Sequence, residues 1–218
     1  MAIAARRRSS ARLEQHAALR EADRERAPRP ETGAFETLAS RIDSAGLRVV
    51  GFTSALLGEG VSTVALGTAL ALAALRRDGT LLIDANWIEP SLTGDAGLGA
   101  APGLADYLAG HADLADLIRP ASSRLLFLPI GDRDAARPAL RPLESFMASG
   151  ASSFATVVVD LPPLLPADPF VMPWAPLLDQ LFIVVRERAT PLTLVRKAIA
   201  RLGADARPQI VLNRATSA

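Results

Sequence analysis

The sequence predicts a doubly wound α/β domain built on a mostly parallel sheet. Short runs rich in Val, Leu and Ile recur along the chain, near-continuous as strands buried on both faces are. Helical stretches separate them, and strand–helix alternation implies a parallel sheet with helices on both sides. A glycine-bearing turn joins the first run to the longest helical stretch.

Taken in order, residues 33–44 put Phe35, Leu38 and Ile42 on one face of a short helix. The strand candidates are 47–53, 81–84, 125–130, 156–160, 181–185 and 209–212. The helical candidates between them are 61–77, 103–108, 113–118, 142–149 and 192–202. No internal repeat is visible. Residues 1–30 differ from the rest, with eight Arg against four acids, few apolar anchors (Leu13, Leu19), and Pro28 and Pro30 at the end. They read as a basic flexible tail, ahead of a single domain over 31–218.

Composition narrows the function. The chain has 218 residues, 24 Lys+Arg against 23 Asp+Glu, a net charge of +1 and no Cys. A disulfide scaffold and a thiolate metal site are excluded, and His16 and His111 alone make no His-rich centre. Near-neutral charge argues against a nucleic-acid-coating protein. The most apolar window, 61–75, is broken by Ser62, Thr63, Gly67 and Thr68 and falls short of the ~20 residues a membrane span needs. The start has positive charge but no apolar stretch behind it, unlike a secretory signal, so a cytoplasmic protein is expected. Lys197 is the only lysine.

The turn at 51–63 sits where a phosphate-binding loop belongs. Small residues let backbone N–H groups turn inward, and the following helix N-terminus adds positive potential. Gly58 and Gly60 allow close backbone approach, and Ser62 is placed to ligate magnesium. A tight turn with no ligand remains the alternative.

Here the chain resembles a family. Phe52-Thr-Ser-Ala-Leu-Leu-Gly-Glu-Gly-Val-Ser-Thr63 is similar to the phosphate loop of bacterial tyrosine kinases, within the ParA- and MinD-like P-loop ATPases. Thr80-Leu-Leu-Ile-Asp84-Ala-Asn86 resembles the second acidic motif. Pro102 to Gly110 resembles the Gly-Leu-x-x-x-Leu-x-Gly segment, and Val157-Val-Val-Asp160-Leu-Pro-Pro163 the Walker B motif. Residues 178–186 and Val211-Leu-Asn213-Arg214 match the last strands. The resemblance implies a P-loop fold, with ATP or ADP held by Gly58, Glu59, Gly60, Val61, Ser62, Thr63 and Asn213. It implies Mg2+ on Ser62, Asp84 and Asp160. A turn-forming role is the alternative for Asn213, and turn capping for the two aspartates. Trp87 and Trp174 read as packing residues.

Four departures bear on activity. The loop lysine is replaced by Val61, which offers neither donor nor charge. Losing a charge-assisted contact costs ~1.5–3 kcal/mol in binding, and losing a transition-state donor ~100–1000-fold in rate. The MinD-type signature lysine, expected near Leu56, is also absent. Second, the family's Asp-x-Asp-x-Arg reads Asp84-Ala-Asn86-Trp-Ile88, so one carboxylate and the Arg are gone. Third, the subunit-contact Glu-x-x-Arg-x-x-Arg aligns with Gly33, Glu36 and Ala39, which argues against the family's ring assembly. Fourth, the only Tyr is Tyr107, so the family's tyrosine cluster has no counterpart.

These departures imply a kinase-like protein, a pseudokinase, in exopolysaccharide or capsule biosynthesis and export. It would act by binding a membrane-embedded, Wzz-like chain-length-determining co-polymerase. The alternative is a weakly active Mg-ATP-dependent tyrosine kinase or ATPase, with Asp84 and Asp160 as the catalytic carboxylates and an imported Arg. Arg6, Arg7 and Arg8 offer contact with an anionic membrane surface, at about 1 kcal/mol per basic residue near it. A ParA-like positioning ATPase is disfavoured, because it needs the signature lysine.

Overall fold

A computed structural model describes residues 32–76, 78–204 and 206–214. The basic tail, with Arg6, Arg7 and Arg8, lies outside the described residues. From Gly33 onward the chain forms one compact unit.

The elements are α1 (Thr32–Ser44), β1 (Val49–Ser54), α2 (Val61–Leu75), β2 (Thr80–Asp84), α3 (Ser91–Asp95), α4 (Leu104–Leu108), α5 (Leu114–Leu117), β3 (Arg119–Pro120), β4 (Leu125–Leu128), α6 (Leu140–Ser149), β5 (Thr156–Asp160), α7 (Leu164–Val171), β6 (Gln180–Arg186), α8 (Leu192–Arg201) and β7 (Gln209–Asn213). One sheet holds all seven strands in the order β3-β4-β2-β5-β1-β6-β7. Every pairing is parallel except β3 on β4. The doubly wound α/β class is therefore observed.

Side-chain alternation explains why these strands read as unbroken apolar runs. Val50, Phe52, Leu82, Val158, Phe182 and Val184 face one apolar cluster, with Ala39 and Ile42 of α1 and Val64, Ala65 and Leu72 of α2. The residues between them, among them Leu81, Ile83, Val157, Val159, Ile183 and Val185, face a second cluster with Leu143, Phe146, Val171 and Val195. A strand buried on both faces needs apolar residues at every position. Each such side chain taken out of water contributes about 1.5–3 kcal/mol.

Helix α2 buries Val61, Val64, Ala65, Thr68, Ala69, Leu72 and Ala73, the spacing of a helical stripe. It stops two residues short of the expected end at 77. Arg76 turns to extended backbone (φ −93°, ψ 146°). From there its Nε donates to Asp43 at 2.6 Å and its Nη1 to the carbonyl of Ala155 and the hydroxyl of Thr156. Those partners, rather than another helical turn, satisfy a side chain only 16% exposed.

Three elements lie outside the sequence expectation: β3, α3 and α7. Pro166 and Pro169 hide α7. The element is two turns joined at Ala167, whose φ of −145° breaks the helix. Pro169 then falls in the first turn of the second piece, where no N–H is required.

Candidate functional site

β1 lies between β5 and β6, and the segment from its end to α2 is the candidate phosphate loop. Gly58 (φ +78°) and Gly60 (φ +85°) adopt left-handed backbone, which costs a residue with Cβ about 1–2 kcal/mol. Gly60 immediately precedes α2, so the N–H groups of Val61, Ser62 and Thr63 open a helix with no intrahelical acceptor. That is the geometry of an anion cradle.

The loop is fastened from its far side. Glu59 is buried, and its Oε2 accepts hydrogen bonds from the Arg186 N–H at 2.6 Å and from the Thr190 hydroxyl. Asn213 Nδ2 donates to the Glu59 carbonyl at 2.8 Å. A Cβ on Gly60 would lie 2.3 Å from that same Nδ2. Asn213, assigned by resemblance to the nucleotide, sits under the loop as a prop, and Glu59 turns its carboxylate away into the fold.

Val61 does not face the cradle as a donor would. Its side chain is 9% exposed and packs in the apolar cluster with Val64 and Leu92. Lys197 lies exposed on α8, at the other end of the chain's alternation.

The structure brings Ser62, Asp84 and Asp160 together. Asp84 and Asp160 end neighbouring strands and are direct register partners. Both are wholly buried. Asp84 is well satisfied: its Oδ1 accepts the Asn86 N–H at 3.1 Å, and its Oδ2 accepts the Thr93 N–H at 2.9 Å and hydroxyl at 2.8 Å. Burial nonetheless holds its pKa above the usual carboxylate value, partly offset by these bonds and by the charge of Arg133. Asp160 has neither oxygen in hydrogen-bond geometry with any donor among the described residues. Burial and then the neighbouring Asp84 push its pKa well up, while the nearby Ser62 hydroxyl offsets this slightly. Ser62 itself accepts from the Ser91 hydroxyl at 2.9 Å.

Two like charges this close share protons as a unit. A pair of buried carboxylates, one of them orphaned, with a hydroxyl beside it, is an all-oxygen donor set suited to a hard divalent cation. The residues present therefore fit magnesium.

Asn86 is no surrogate base. Its Oδ1 accepts the N–H groups of Ile88 and Glu89 at 3.2 and 3.0 Å, which shapes the turn after β2. Trp87 is 5% exposed, stacks on Phe170 (6.2 Å, 12°) and donates Nε1 to the Ala136 carbonyl, so it packs as expected. Trp174 is fully buried. Ala39 faces the core, so its position presents nothing to a neighbouring subunit. The site residues that sequence reasoning missed are Ser91, Thr93, Arg133 and Thr190. Each reaches the site through a loop or short helix with no periodic pattern, and no local signal marks them.

The strand order, the left-handed phosphate loop and the paired strand-end aspartates define a P-loop ATPase fold of the MinD and ParA type. MinD from Pyrococcus horikoshii, solved with Mg-ADP, superposes with a TM-score of 0.60 at 22% identity, over 75% of this chain and 67% of that one. No protein-family model matches the chain. In sequence it is 34% identical over 156 residues to the succinoglycan biosynthesis transport protein ExoP of Rhizobium meliloti, which is 68% of this chain and 20% of ExoP. It is 31% identical over 137 residues to the tyrosine-protein kinase CpsD of Streptococcus agalactiae, 60% of this chain and 59% of that protein. The VpsO kinase domain superposes with a TM-score of 0.69 at 28% identity, over 84% of this chain and 92% of that one. The chain is thus a homologue of the bacterial tyrosine kinases, with degenerate Walker motifs. It spans about three fifths of CpsD and one fifth of ExoP.

Proposed function

We propose that this protein is a kinase-like component of exopolysaccharide or capsule biosynthesis that works by binding, not by phosphoryl transfer. The observation that carries this reading is Val61: a buried aliphatic side chain occupies the one position of the phosphate loop from which a lysine would reach the β- and γ-phosphates. The rest of the loop keeps its shape through Gly58, Gly60 and the Glu59 anchor. The names of its homologues, a succinoglycan biosynthesis transport protein and a tyrosine-protein kinase, support the pathway class. The partner in this reading is a membrane co-polymerase of the chain-length-determining kind, engaged through its cytoplasmic end. Among the described residues no helix is long and apolar enough to cross a membrane. The basic residues 6–8 would add contact with an anionic membrane surface.

A second reading is favoured by one observation, the orphaned oxygens of Asp160. Ser62, Asp84 and Asp160 would hold magnesium, which on binding neutralises phosphate charge. Gly58 to Thr63 would take the phosphates of ATP or ADP, with Asp84 and Asp160 acting in weak catalysis.

Calorimetric titration with Mg-ATP, followed by a turnover assay, separates the two. The binding reading expects turnover at background. Hydrolysis abolished by Asp160→Ala would replace it with the second. The back-substitution Val61→Lys is expected to tighten Mg-ATP at least ~10-fold, as one charge-assisted contact supplies. No change in affinity would mean that the loop is not a phosphate cradle.

A further inference from the structure

We infer that a second cavity, over the loops that follow β2 and β4, binds a phosphorylated sugar, its phosphate on Arg133 and Arg137 and its hydroxyls on the aspartates of the rim. The cavity measures about 680 Å3, within the range of small-ligand sites, and none of residues 58–63 lines it. It goes beyond the phosphate loop and does not depend on it.

The argument begins with the two arginines. Arg137 lies over the Phe170 ring, 5.6 Å from its centroid, and Phe170 stacks in turn on Trp87. Trp87 is tied to the Ala136 carbonyl one residue away. This three-layer stack holds the Arg137 guanidinium over the ring without using its N–H donors. Arg133 spends Nη1 on the carbonyls of Trp87 and Ile88, at 2.8 and 3.1 Å. Its remaining donors are left for a ligand. Neither arginine forms an ion pair among the described residues.

Two of the rim carboxylates already accept backbone N–H groups. Asp106 Oδ2 accepts the N–H groups of Gly103 and Asp132, at 2.8 and 3.1 Å. Asp132 Oδ1 accepts the Asp134 N–H at 3.1 Å. Each still has acceptor capacity on its second oxygen.

This mixture selects the ligand class. A bare phosphate would meet two guanidiniums but also three carboxylates. A neutral sugar would use the carboxylates and leave both arginines unmatched. A sugar phosphate matches both sets: its oxyanion accepts from Arg133 and Arg137, and its hydroxyls donate to Asp106, Asp132 and Asp134.

The test is calorimetric titration of the full chain with glucose 1-phosphate, inorganic phosphate and glucose in separate arms. Saturable binding of glucose 1-phosphate is expected below about 1 mM, with each of the other two at least ~10-fold weaker. Arg133→Gln and Arg137→Gln are each expected to weaken it ~10-fold. Arg137 is exposed and makes no hydrogen bond within the described residues, so its variant keeps the fold. Gly60→Ala, which distorts the phosphate loop alone, is expected to leave this binding unchanged. The proposal is overturned by no saturable binding up to about 10 mM, or by affinity indifferent to Arg137→Gln. Binding lost in Gly60→Ala would likewise overturn it, by moving the ligand to the phosphate loop.

Discussion

Replacing Asp160 by Asn should change how stability depends on pH, and in a direction the structure fixes. Asp160 is wholly buried, its oxygens lack donors, and it abuts Asp84. Its pKa in the folded protein is raised well above that of the unfolded chain, and that of Asp84 is raised too. Between the unfolded and folded values the native state therefore binds more protons than the unfolded state. Stability is then highest at low pH and falls as pH climbs through that window, by about 1.4 kcal/mol per pH unit for each proton held. Above the folded pKa the loss is complete and the curve flattens. Asp160→Asn removes one charge and relieves Asp84 of its neighbour. Relative to the natural protein the variant should gain stability steadily as pH climbs through that window, while the buried amide exacts a constant ~1–3 kcal/mol at every pH. Urea unfolding at several pH values reads the difference. Millimolar Mg2+ should recover stability at pH 8 in the natural protein and not in the variant. A difference between the two proteins that does not vary with pH would refute the reasoning, because it would mean the carboxylate is not charged at the expense of folding.

Other perturbations follow from the same contacts. Glu59→Ala strips the acceptor from the Arg186 N–H and the Thr190 hydroxyl; it should cost about 1–3 kcal/mol and accelerate amide exchange at Arg186, measured by hydrogen exchange. In Gly103→Ala the new Cβ would sit 2.1 Å from the Pro129 carbonyl and 2.6 Å from the Gly131 nitrogen, both backbone. A loss of about 1–3 kcal/mol is expected in urea unfolding, with an unchanged midpoint as the contrary result. Arg76→Ala removes the Asp43 pair and leaves the Ala155 carbonyl without its donor; chemical denaturation should show about 1–3 kcal/mol lost at any salt concentration. An effect that vanishes in 1 M salt would mean only the exposed ion pair mattered.

The fold was legible because its strands are buried on both faces. Runs such as Val157 to Val159 and Leu81 to Ile83 are apolar at every position, as burial on both faces requires. Parts of the site were legible for a different reason: Gly58, Gly60, Ser62, Asp84 and Asp160 each stand at a strand end, at a helix start or in the turn between the two, where chain order alone determines position. What stayed hidden was held by long-range contacts. Thr93 grips Asp84 from a five-residue helix, Thr190 and Asn213 reach Glu59 across more than 120 residues of chain, and Arg133 arrives from the loop after β4. Helix α7 was concealed by prolines that its internal break makes harmless.

The same contacts explain how the loop between β1 and α2 keeps its shape with Val61 in it. In a loop held open only by its ligand, replacing the binding cation would relax the geometry as well. Here the shape is set from behind: Glu59 is bonded to the end of β6 and to Thr190 just ahead of α8, Asn213 fills the space a Gly60 Cβ would need, and Val61 joins the core. None of those interactions requires a nucleotide. Asp160 is the opposite case, a buried carboxyl whose oxygens have no hydrogen-bond partner among the described residues and whose ionisation only the nearby Ser62 hydroxyl eases. A fold that had no use for a cation there would be more stable with an apolar residue. On the magnesium reading, a divalent ion held by Ser62, Asp84 and Asp160 would relieve that cost.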